Sequence, residues 1–229
     1  MTFAFYSPKI AAARNASIAG ARVAFPTPAT VSLPLLLKPW RLPSQGLAVF
    51  HGRGGVARLS HYFLPRSLLE GKRVLLLDGA NCADPRLIAR FARERGIPFA
   101  QFSQQIRLAR AFTCFQLSEL IARVPEHIQD FPAQVLIVTA FPDLYFDEDV
   151  RDWDAQVAFE QALGNLRRWV ELPLSVAVFS DATTFAPSAA RRRFFEQLIA
   201  HASQVWKFNL NADNRLELIC ERPRPRLRS

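Results

Sequence analysis

The chain has 229 residues, half of them hydrophobic, enough to bury one packed core, and its formal charge of +9 is carried by 25 arginines and four lysines. No apolar run is long enough to span a bilayer, and no basic, apolar and cleavage regions follow one another as in a signal peptide. This composition argues against a membrane-spanning or exported protein and leads to the expectation of a cytoplasmic one, with phosphate-bearing or acidic partners suited to its charge.

Residues 1–44 are rich in Ala, Ser, Pro and Arg, lack acids, and carry apolar patches at Phe3 to Tyr6 and Val31 to Leu37. They read as an N-terminal extension: an arm that docks on another protein or a second copy, a targeting segment, or part of the core. From Leu47 to Phe50 an apolar run predicts a buried strand, followed by the glycine-rich turn His51-Gly-Arg-Gly-Gly55 and a helix start. This is the strand, loop, helix context of a phosphate-binding loop. Aligned on GxxxxGK[ST] with Gly52 first, the second glycine is Ala57, the lysine is Arg58 and the hydroxyl is Leu59. Gly52, Arg53, Gly54, Gly55, Arg58 and Ser60 are therefore the candidate residues of a degenerate nucleotide loop; a plain tight turn is the alternative.

Val74 to Asp78 is a continuous apolar run, expected to be a strand covered on both faces. Asp84 and Pro85 open a helix to about Glu94, with aspartate as N-cap and proline at the first helical position. Val135 to Val138 predicts a third strand, a loop follows to Asp154, and a long helix is expected from Asp154 to Val170. Leu174 to Phe179 is a fourth strand and Ala190 to Ala202 a last helix. A hairpin of Val205 to Leu210 and Arg215 to Glu221, turning at Asn211 to Asn214, closes the domain. Alternating strands and helices imply an α/β fold with a mainly parallel sheet and helices on its faces, within one domain over 45–222 and a basic tail at 223–229.

Several segments resemble, in collinear order from about Leu42 to Arg222, the core of the RecA-type recombinase family. Leu42 to Leu47 is similar to its Pro/Gly lead-in and Ala109-Arg-Ala-Phe112 to an "ARAF" stretch. Leu136 to Tyr145 resembles the Walker B strand and the segment after it, and Ala162 to Trp169 the helix beyond. The resemblance implies a RecA-like P-loop core, and it implies lost chemistry. The family's water-orienting acid falls on Ala80, its magnesium-holding aspartate on Thr139, and its γ-phosphate sensor on Phe179 to Thr183, where Asp181 would repel a triphosphate. Phosphoryl transfer depends on positioning and on neutralising charge, so the expectation is a pseudo-ATPase with no catalytic residues and no metal. No cofactor is implied, and ATP is the one ligand that the loop keeps open. The alternatives are an ATPase using Arg58 with Asp78 and Ser60, and a purely structural subunit.

The expected role is accessory: an interaction factor in DNA repair, recombination or damage-induced mutagenesis, with a protein partner or a second copy, and with DNA as a further candidate. Candidate DNA contacts are Arg191, Arg192 and Arg193 near the start of the last helix, and Arg222, Arg224, Arg226 and Arg228 in the tail. The acidic residues from Asp143 to Asp154 read as a solvated loop or a docking face for an arginine-rich neighbour. Cys82, Cys114 and Cys220 lack metal-ligand spacing and read as reduced core or near-core thiols. His51, His61, His127 and His201 are scattered, with no spacing to a cysteine or carboxylate that argues for catalysis.

Overall fold

In the computed structural model, Leu42 and residues 46–182, 188–210 and 216–222 are described. The chain forms one seven-stranded sheet in the order β3-β2-β4-β5-β1-β6-β7. The strands are β1 (Gly46–His51), β2 (Val74–Asp78), β3 (Ile106–Arg110), β4 (Val135–Thr139), β5 (Ser175–Ser180), β6 (Gln204–Leu210) and β7 (Leu216–Arg222). The first six run parallel, and β7 pairs antiparallel with β6. The α/β architecture and the closing hairpin are as the alternation of patterns requires.

Two cores follow from the period-two alternation of the central strands. Leu47, Val49, Leu75, Leu77, Leu136, Val138, Val176 and Val178 face α5 (Cys114–Ala122), α6 (Val124–Asp130), α7 (Asp152–Trp169) and α8 (Ala189–His201). Ala48, Phe50, Val74, Leu76, Val135, Ile137, Ala177 and Phe179 face α1 (Val56–Leu59), α2 (Leu64–Leu69), α3 (Pro85–Glu94) and α4 (Phe99–Ser103). On the first face Phe159 stacks between Phe141 at 5.3 Å and Phe194 at 4.3 Å, which ties α7 to α8 and to the loop after β4. Each such buried ring contributes roughly 1.5–3 kcal/mol of transfer free energy.

β2 lies on its predicted residues, and the other predicted strands match within two residues. Asp84 caps α3 as expected, its Oδ1 accepting the N–H of Arg86 at 2.9 Å with Pro85 at the helix start. β3, α5 and α6 are additions to the predicted set. β3 is an edge strand whose residues alternate between half-buried and exposed, so it carries no apolar run; the guanidinium of Arg107 covers Phe131 at 4.9 Å instead. Its insertion makes Val135–Thr139 the fourth strand in sequence, not the third. β2 follows β1 in sequence but lies three places from it, with β5 and β4 between.

Candidate functional site at the carboxyl edge of the sheet

The chain leaves β1 and β2 toward the α1–α4 face, and leaves β4 and β5 toward the α7–α8 face. Connections therefore diverge between β1 and β5, and again between β2 and β4. In open α/β sheets such switch points are where ligands bind. Here each one holds a carboxylate of the chain itself.

Between β1 and β5 lies the glycine-rich turn. Gly52 is buried, and a Cβ there would come 2.7 Å from the carbonyl oxygen of Phe208, so close approach of β6 is enough to require glycine. Gly54 and Gly55 have φ of 76° and 86°, the left-handed region that favours glycine. The turn aims the N–H groups of Gly55 and Val56 at Asp181, whose Oδ2 and Oδ1 accept them at 3.2 and 2.9 Å. Asp181 is fixed in turn from the loop after β4. Its backbone N–H donates to Asp143 Oδ2 at 3.1 Å, and the Ser180 hydroxyl donates to Asp143 Oδ1 at 3.0 Å. Ser180 Oγ also accepts the N–H of Ala182. Burial pushes the Asp143 carboxyl up to about 7; the two donors pull it down, and the Asp181 charge adds to the rise. Asp181 thus occupies the turn's donors, where the sequence suggested only a charge that repels phosphate.

Between β2 and β4 the fully buried Asp78 organises the loop that follows it. Asp78 Oδ1 accepts the N–H of Cys82 at 3.1 Å and the hydroxyl of Thr139 at 3.0 Å, while Oδ2 accepts the N–H of Ala83 at 2.8 Å. Arg110 at the end of β3 adds an ion pair at 3.7 Å and donates to the carbonyl of Ala83. Thr139 Oγ1 accepts the N–H of Ala80 at 3.2 Å. The position matched to the family's magnesium aspartate is therefore a buried strut between two loops. The Cys82 thiol, beside Asp78, is pushed up to about 12 by burial and by that charge.

His61 closes the same region from the 3-10 turn Ser60–Phe63. Its Nε2 accepts the N–H of Asp84 at 3.1 Å, so Nδ1 carries the proton and donates to the carbonyl of Arg58 at 3.1 Å. Both contacts need the neutral ring, and burial lowers its pKa. Ser60 is buried next to it, while Arg53 and Arg58 are exposed. His51 corrects the expectation that no histidine meets a carboxylate: its Nε2 lies 2.7 Å from Glu221 Oε2, joining the end of β1 to β7. The residues are 170 apart in sequence, so no local spacing could show the pair.

The arginine candidates divide. Arg191 is buried; its Nε donates to Asp152 Oδ1 at 2.6 Å and its terminal nitrogens donate to the carbonyls of Asp147 and Val150. The acidic segment does receive an arginine, but from α8 of the same chain, and this corrects the assignment of Arg191 to phosphate contact. Arg222 donates to the carbonyls of Ile199 and Ala202 and so caps the end of α8. Arg192 and Arg193 are exposed on α8. Arg224, Arg226 and Arg228, the extension 1–44 apart from Leu42, and the hairpin turn at 211–214 lie outside the described residues. Cys114 is buried and Cys82 half-buried, but Cys220 is exposed on β7, contrary to the expectation of a near-core thiol.

Among the described residues no three His, Cys, Asp or Glu side chains are grouped to hold a metal ion, and no helix is long and apolar enough to cross a membrane. Neither protein-family models nor curated protein sequences match the chain.

Proposed function

We propose that the protein is a RecA-like core that does not hydrolyse nucleotide and acts as an accessory interaction factor in DNA repair, recombination or damage-induced mutagenesis. The observation that carries this reading is the Asp181 carboxylate bonded to the N–H groups of Gly55 and Val56, in the turn that would otherwise cradle a phosphate. A triphosphate entering that turn would have to displace a fixed negative charge, and the lysine and magnesium ligand that would offset this are replaced by Arg58 and Thr139. The collinear resemblance from Leu42 to Arg222 supports the choice of family, and a cytoplasmic location accords with that role. Arg192, Arg193 and the tail arginines remain the candidates for DNA contact.

The ATPase alternative is the weaker of the two. Its substitute ligands are Asp78, whose oxygens are already surrounded by two backbone N–H groups, a hydroxyl and Arg110, and the buried Ser60. Steady-state phosphate release with magnesium and ATP tests the reading. Turnover at the level of the protein-free blank is expected; turnover that disappears in Arg58→Ala would establish the ATPase instead.

A further inference from the structure

The pair Asp143–Asp181 is built as more than a plug. It joins three connections at the carboxyl edge: the glycine-rich turn after β1, the 3-10 turn Asp143–Phe146 after β4, and the exit from β5. Asp143 holds the backbone of Asp181, and the Asp181 side chain holds the turn. The two hydrogen-bond sets are in series, so whatever moves Asp181 frees Gly55 and Val56.

We propose that Asp143 and Asp181 form a pH-dependent latch, which fastens the glycine-rich turn while the pair carries one negative charge and loosens it when the pair carries two. With Asp143 protonated, the Asp181 carboxylate takes both N–H groups of the turn, and Asp143 still accepts from the N–H of Asp181 through its carbonyl oxygen. Ionisation of Asp143 places a second charge in a site that has little water to screen it. Asp181 is the titratable group that bears on Asp143, and its side chain is part-exposed, so it is the member able to relieve the repulsion by swinging toward solvent. Gly54 and Gly55 let the released turn reorganise without Cβ strain. The ionisation falls near pH 7, so the latch works around neutrality. The inference uses the geometry of the loop alone and does not depend on the role proposed above.

The test is amide hydrogen exchange by NMR on the full chain at pH 6 and pH 8, expressed as protection factors to remove the intrinsic effect of base. The Gly55 and Val56 amides should lose protection by about tenfold between the two pH values, the ratio that matches one pKa unit of coupling. Amides at the centre of β5 should not change. Asp143→Asn, which keeps the shape and stays neutral, should hold the pH 6 value at both. Asp181→Asn should lower protection of the two amides already at pH 6. Equal protection at both pH values in the wild type would overturn the latch, as would the same loss in Asp143→Asn. Should either variant unfold, the carbon-13 titration of the wild-type carboxyls decides: the latch requires Gly55 and Val56 resonances to move with the Asp143 midpoint.

Discussion

Replacing Arg191 by methionine keeps most of the aliphatic volume of the side chain and removes three hydrogen bonds, to Asp152, Asp147 and Val150. Bonds from a charged donor contribute about 1.5–3 kcal/mol each, so simple addition would suggest more than 4 kcal/mol. The sum overshoots, because Asp152 keeps 53% of its side chain exposed and regains water when the arginine is gone. The expected loss is about 2–4 kcal/mol, which for a domain of this size lowers Tm by roughly 5–15 °C. Urea unfolding followed by tryptophan fluorescence measures it. Arg193→Ala, two residues along on the exposed face, should stay within about 0.5 kcal/mol of wild type. Asp152→Asn should cost less than Arg191→Met, because an amide oxygen still accepts from the guanidinium. An Arg191→Met protein as stable as wild type would refute the structural role; if it lost DNA affinity as well, Arg191 would belong with the phosphate-contacting residues after all.

Thr139→Asp, which restores the family's acid on paper, puts a second carboxylate against Asp78, whose Oδ1 lies 3.0 Å from the present hydroxyl; urea unfolding should show a loss of about 3–5 kcal/mol and phosphate release no gain. The folded-state pKa of Asp143 is raised, so the native state holds its proton longer than the unfolded chain does, and this contribution to stability is lost as pH rises from about 4 to about 7. His61 acts in the opposite sense: its folded pKa is lowered, so its contribution is lost as pH falls below about 6.5. Unfolding curves of wild type and Asp143→Asn isolate the first effect, and the variant should gain on the wild type across that window and run parallel above it. With a thiol reagent at pH 8, Cys220 should react first, while Cys82 and Cys114, both pushed up by burial, should react only as the protein opens.

The strands that could be read from sequence are those covered on both faces, because Val74 to Asp78 or Leu174 to Phe179 leaves no position for a polar residue. β3 escapes that rule as an edge strand, where Arg107 and Arg110 serve as cover and as an ion-pair partner. α5 carries signals that pattern reading could have used: a Thr113 cap whose hydroxyl accepts the N–H of Gln116, and Leu117 and Ile121 one turn apart. At the carboxyl edge, the glycines and the losses at Ala80, Thr139 and Arg58 are visible as departures from a motif. Their replacement by contacts is not, because Asp181 lies more than a hundred residues from the turn it fills, and Arg191 looks in sequence like its two exposed neighbours.

The account stands on Asp181 holding the donors of the glycine-rich turn against any nucleotide. Titrating the isotope-labelled protein with magnesium and ATP to millimolar concentration, while following the Gly55 and Val56 amide resonances, tests this most directly. The predicted result is that neither resonance moves. Saturable shifts of both, abolished by Arg58→Ala, would show that a triphosphate displaces Asp181 and that the turn is a working nucleotide site.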